Sequence, residues 1–183
     1  MGENDMILAF FPCIRFEVQA VMLFKGTQYQ IINKTLKEKL ELDLKYHKEL
    51  SELYELVTKL VIVCIDRNIK LVVENPANEQ HYLTRYWALS PSIIDGNRYL
   101  KGDYCKKPTQ YFFINCEPKN NLIFEPYSIY EKPKAIHKMN WGDSNKRNAE
   151  RSMISPEYAN RFIRENIIDG ETKKQEQQLK LDL

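Results

Sequence analysis

Two short stretches hold residue types suited to covalent chemistry on an electron-poor ring. Pro12-Cys13 closes the apolar run Met6-Ile-Leu-Ala-Phe-Phe11, and Glu74-Asn75-Pro76 closes Ile69-Lys-Leu-Val-Val73. A short apolar run ended by turn residues reads as a buried strand. Ligands of α/β sheets gather at the carboxyl ends of parallel strands. A thiol and a carboxyl group at two such ends therefore border the place where a substrate would sit. A thiolate adding at C6 of cytosine makes C5 nucleophilic, and a carboxylic acid at N3 stabilises the charge that develops. Cys13 is the candidate nucleophile and Glu74 the candidate acid, with Asn75 beside it. The base must leave its duplex to reach them. Each motif also has a plain structural reading: a small packed thiol for Cys13 and a loop cap for Glu74-Asn75-Pro76.

The elements between these stretches must bring them together. Residues 17–66 read as mostly helical: Leu50, Leu53, Val57, Leu60 and Cys64 recur at spacings of three and four, and Leu36, Leu40 and Leu44 form a second stripe. Strand, helices and strand in that order predict a βαβ crossover and parallel neighbours. A short helix is expected at 78–88, a loop at 89–110, a third strand at Tyr111–Cys116 and a fourth at Asn121–Phe124. Residues 126–151 are polar and irregular. Ser155-Pro156-Glu157 is a helix start, with a Ser cap and Pro at the first helical position. That helix is expected to run to about Ile168 and to bury Ala159, Phe162, Ile163 and Ile167. The reading is one α/β domain over 1–168, with a helical insertion at 17–66 and a charged tail at 169–183 that is expected to be disordered.

Composition bounds the function classes. Hydrophobic residues make up 43% and aromatics 11%, so a disordered chain is excluded. The net charge of +2 is too mild to establish a nucleic-acid partner. Cys13, Cys64, Cys105 and Cys116 form no CxxC pair, so no zinc site is expected, and they read as the reduced thiols of a bacterial cytoplasm. No apolar run approaches the roughly 18 residues of a membrane span.

Beyond these patterns, Phe10-Phe-Pro-Cys-Ile-Arg-Phe-Glu17 resembles the Pro-Cys loop of DNA cytosine-C5 methyltransferases. Leu71-Val-Val-Glu-Asn-Pro76 resembles their Glu-Asn motif, with Pro76 where Val is usual. The chain is similar to the methyltransferase-like proteins of Firmicutes phages over roughly residues 5–168. The resemblance is carried further by His81-Tyr-Leu-Thr-Arg-Tyr-Trp87, Gly102-Asp-Tyr-Cys-Lys-Lys-Pro-Thr-Gln110 and Arg151-Ser-Met-Ile-Ser-Pro-Glu-Tyr-Ala-Asn-Arg-Phe-Ile163. It implies a Rossmann-like methyltransferase sheet, here truncated and carrying a helical insertion. It also implies Cys13 as nucleophile and Glu74 as the N3 partner, with Lys107, Thr109 and Gln110 near the base or its phosphates. The family's donor-binding motifs precede the Pro-Cys strand, where this sequence has only Met1–Asp5. S-adenosylmethionine is therefore not expected to bind the chain alone, but only with a partner chain that supplies the missing half.

Three readings follow. The first is a catalytically incomplete binding module on DNA or a DNA-handling host protein, for instance a counter-defence inhibitor of a CRISPR-Cas nuclease. The second is the target-base subunit of a split cytosine-C5 methyltransferase, and the third is a fragment without present activity. The candidate nucleic-acid contacts are Arg15, Arg98, Lys101, Lys106, Lys107, Gln110, Lys146 and Arg147. An uncovered sheet edge and the helical insertion make a homodimer an expected way to bury apolar surface.

Overall fold

β1 (Met6–Phe10) and β2 (Lys70–Pro76) pair in parallel, from Met6 level with Lys70 to Phe10 level with Glu74. The chain between them forms α1 (Gln19–Phe24), a turn-rich segment and α2 (Leu36–Asp66), so the expected crossover is present but its helices are interrupted at 25–35. The computed structural model describes residues 5–13, 15–17, 19–125 and 153–169. The irregular segment expected at 126–151 lies outside them, and so does the tail from Gly170 on.

A capping box starts α2. Glu38 N–H donates to the Thr35 hydroxyl at 3.3 Å, and Thr35 N–H donates to the Glu38 carboxylate at 2.8 Å. Asn68 ends the helix in the left-handed region, at φ 52°, and Ile69 N–H closes back on the Cys64 carbonyl at 2.9 Å. The Asn115 amide donates to that same carbonyl at 2.8 Å and to the Ile69 carbonyl at 2.9 Å. These bonds set where β2 begins.

β4 (Thr109–Ile114) lies beside β2 and runs antiparallel to it, and β3 (Ile93–Asp95) is the far strand, giving the order β1-β2-β4-β3. The sheet is therefore mixed, as α/β folds often are where a strand returns by a long connection. Successive strand residues face opposite sides. Ile7, Ala9, Leu71, Val73, Phe112 and Ile114 pack with Leu50, Val57, Val61 and Cys64 of α2, with Phe16, and with Leu83 of α3 (Tyr82–Tyr86). The row Leu50, Val57, Cys64 is buried as its spacing predicts. The stripe Leu36, Leu40, Leu44 is exposed, because α2 outruns the sheet it packs on.

The described residues divide into two compact units, 1–94 with 109–116 and 95–108 with 117–183. In the second, a 3₁₀ turn (Arg98–Lys101) ends at Gly102, whose φ of 89° suits a residue without Cβ. α4 (Pro156–Asn166) starts as the sequence predicts: the Ser155 hydroxyl accepts from Tyr158 N–H at 3.0 Å and donates to the Gly102 carbonyl at 2.6 Å. Its buried residues are Tyr158, Arg161 and Asn166, while Ala159, Phe162, Ile163 and Ile167 are only half-buried. The expected strand at Asn121–Phe124 does not form. Its backbone is held by side-chain contacts instead. The Arg161 guanidinium donates to the Ile123 and Glu125 carbonyls at 3.0 and 3.1 Å, and the Asn121 amide donates to those of Arg164 and Ile168, both at 2.7 Å.

Candidate functional site

The register of β1 on β2 decides where the two candidate motifs fall. Phe10 is level with Glu74, so Pro12-Cys13 and Glu74-Asn75 lie at the same end of two neighbouring parallel strands. Beyond the strand the chain turns sharply, with Phe16 N–H and Glu17 N–H both donating to the Cys13 carbonyl, at 2.8 and 3.0 Å. That turn brings the residue four places on back over the cysteine. The half-buried Cys13 thiol donates to the Glu17 carboxylate at 2.8 Å. Tyr82 N–H then donates to the Phe16 carbonyl at 2.9 Å, which ties α3 to the turn.

Glu74 and Asn75 are both buried, and strand alternation sends them to opposite faces of the sheet. Asn75 shares the core side with Leu71 and Val73 and is level with Gln110. Neither its amide nitrogen nor its oxygen has a hydrogen-bond partner among the described residues. Glu74 shares the other side with Val72 and with Leu8 and Phe10 of β1, the last two exposed. The two residues therefore do not act on one substrate face together.

His81 escaped the sequence reading. It stands at the N-cap of α3, 1% exposed, with its ring edge-on to Phe16 at 5.9 Å. Neither ring nitrogen has a hydrogen-bond partner among the described residues. Burial lowers its pKa to about 4, so the ring is neutral at physiological pH. The only signal in the sequence was a histidine where Ser, Thr, Asp or Asn would cap a helix.

The candidate nucleic-acid contacts are placed differently from one another. Arg15 pairs with Glu49, its Nε at 2.6 Å, and its guanidinium lies over the Tyr46 ring at 4.6 Å. Gln110 is fully buried, its amide donating to the Pro76 carbonyl at 3.0 Å and the Thr84 hydroxyl at 2.9 Å. Arg98 is buried against Asp103, with Nε to Oδ2 at 2.5 Å. The expected surface roles of Arg98 and Gln110 are thus replaced by internal ones, because each finds its polar partner inside its own unit. Lys101 reaches Asp95 at 3.6 Å, Lys106 is exposed and Lys107 half-buried. Lys146 and Arg147 lie outside the described residues.

Among the described residues no group of three or more His, Cys, Asp or Glu is arranged to hold a metal, and no helix is long and apolar enough to cross a membrane. Gly26 follows α1, Gly96 follows β3 and Gly102 closes the 3₁₀ turn. None of these three stands between a strand and an α-helix. Compared with protein-family models, curated proteins and solved structures, the chain matches none.

Proposed function

We propose that the chain is a methyltransferase-like binding module with a Rossmann-like sheet, that it acts on a DNA-handling protein, and that it transfers no methyl group by itself. A CRISPR-Cas nuclease is the concrete target. The observation that carries this reading is the Cys13–Glu17 hydrogen bond at the head of the paired strands. Attack on a cytosine ring needs a thiolate, and an adjacent anionic carboxylate opposes its formation. A thiol that donates to a neighbouring carboxylate is engaged within the chain, which supports a binding role for these strand ends. Of the candidate phosphate contacts, Arg15, Arg98 and Gln110 are engaged within the chain, which supports a protein partner over bare duplex.

The test is cleavage of a guide-matched duplex by a purified Cas nuclease, with and without the chain. Inhibition at stoichiometric ratio is expected, and it should survive Cys13→Ala and Glu74→Gln. A shift of bare duplex at about 50 mM salt, without inhibition, would replace the protein partner by DNA. The placement of Cys13 and Glu74 at one end of parallel strands also favours a second reading, the target-base subunit of a split methyltransferase. In that case methyl transfer from S-adenosylmethionine appears when a chain supplying the donor half is added, and Cys13→Ala abolishes it.

A further inference from the structure

Asn75 and His81 are 0 and 1% exposed, and Asn75 Nδ2 and Oδ1 and His81 Nδ1 and Nε2 have no hydrogen-bond partner among the described residues. The chain that joins the two leaves β2 at Pro76 and comes back to the same unit at Tyr82, whose N–H donates to the Phe16 carbonyl at 2.9 Å. Leu83 then enters the core cluster that holds Leu71, Val73 and Phe16. Asn75 faces that side of the sheet, so residues 77–81 fold back over the end of β2 that carries it. We propose that residues 77–81 are a flap, which lifts about Pro76 and Tyr82 in the native protein and opens Asn75 and His81 to hydrogen-bonding partners. The device is independent of which partner the strand ends meet.

The contacts on the two sides of the movement favour lifting. Asn78 holds the flap together from within: its Oδ1 accepts from Gln80 N–H at 2.8 Å and its carbonyl from His81 N–H at 2.9 Å. Those bonds travel with the flap. Asn78, Glu79 and Gln80 are already exposed. What ties the flap down is the bond from Arg85 N–H to the His81 carbonyl, at 3.1 Å, and the edge-on contact of the His81 ring with Phe16, at 5.9 Å. Arg85 is exposed, so its N–H passes to water when the flap lifts. In exchange, four buried polar atoms gain partners. The amide and the imidazole can each donate and accept. Beyond the hinge the chain stays in place. Leu83 is fully buried, Thr84 is bonded to Gln110 at 2.9 Å, and Trp87 Nε1 donates to the Thr58 hydroxyl at 3.2 Å.

The test is acylation of the full chain by diethyl pyrocarbonate, which attacks a neutral imidazole nitrogen, at about pH 7.5. Modification is read at each histidine by mass spectrometry of a digest. His47, whose side chain is 59% exposed, is the exposed standard. His81 is expected to react in the folded chain, more slowly than His47. Its rate should stay level as urea rises toward the unfolding transition, because a flap of this size uncovers little surface. Asn75→Leu removes two of the four orphaned atoms and with them part of the gain on lifting. It should slow His81 at least about threefold while His47 keeps its rate. A His81 that does not react, or whose rate climbs with urea in step with unfolding of the whole chain, would overturn the proposal. So would an Asn75→Leu variant in which His81 reacts as fast as in the wild type.

Discussion

At the carboxyl end of β2 the first unit buries Asn75 and His81 with four polar atoms that have no hydrogen-bond partner among the described residues. The second unit buries polar side chains of similar size and engages most of them, Asn97 Oδ1 being left without a hydrogen-bond partner among the described residues. Asp103 Oδ2 takes the Arg98 guanidinium, its Oδ1 accepts from Tyr104 N–H at 2.8 Å and Ser155 N–H at 3.0 Å, and the Tyr158 hydroxyl donates to Asp95 at 3.1 Å. Burying a polar group without a bond costs about 1–3 kcal/mol, whereas a paired group comes close to balancing its desolvation. The second unit thus uses polar groups to fasten the 3₁₀ turn to the start of α4. The first carries a standing cost beside its candidate site.

The sharpest break of this contrast is Asp103→Ala. It leaves the Arg98 charge buried without its carboxylate and frees the Ser155 and Tyr104 amides. A loss of about 3–5 kcal/mol is expected, read from the urea midpoint. A loss under about 1 kcal/mol would mean that the network does not hold the second unit together, and the contrast would fail on that side.

His81 gives the next effect, and its sign follows from its protonation. The unfolded chain takes up the proton near 6.5, while the folded chain resists until about 4. Between those values the unfolded state binds more protons, so stability falls as pH drops. Nothing is lost above about 6.5, and the full loss of about 3 kcal/mol is reached below about 4. His81→Phe should remove this slope from the urea-midpoint profile and leave Phe16 with a ring neighbour. A slope that persists in His81→Phe would assign it to other groups.

Much of the first unit was legible in the sequence, because its elements are held by periodic apolar rows. The run Met6–Phe11, the row Leu50–Val57–Cys64 and the run Ile69–Val73 each found their place. The cap at Ser155-Pro156 was legible because it is local. The direction of β4 was not, since a connection of residues 77–108 permits either sense. Nor was the burial of Arg98, whose partners Asp103 and Tyr158 lie at unrelated spacings. The leucine row at 36–44 has a core-like period, yet what it meets is decided by where the sheet ends. At the site, the strand ends were foreseen, but the Cys13–Glu17 contact arises from a turn that apolar patterning does not encode.

Asn75→Leu sharpens the comparison from the other side. It replaces an amide without described partners by an apolar group of similar volume on the core face. Stability should rise by about 1 kcal/mol or stay level, by thermal melt. A loss above about 2 kcal/mol would mean that the amide is bonded in solution, and that the first unit satisfies its polar groups as fully as the second.

The smallest expected effect concerns the thiol itself. If Glu17 holds the proton on Cys13, removing its charge while keeping its shape should make the sulfur more reactive. In Glu17→Gln, alkylation of Cys13 by iodoacetamide near neutral pH should run about threefold to tenfold faster than in the wild type, because the thiolate no longer faces an anion. Cys64 and Cys105 are buried and serve as internal standards within the same digest. Their rates should not change, which separates a local electrostatic effect from loosening of the fold. Slower alkylation in the variant would carry the opposite meaning. Glu17 would then be drawing the proton away from the sulfur, Cys13 would be a poised nucleophile rather than a restrained one, and the balance would move from the binding module to the split methyltransferase.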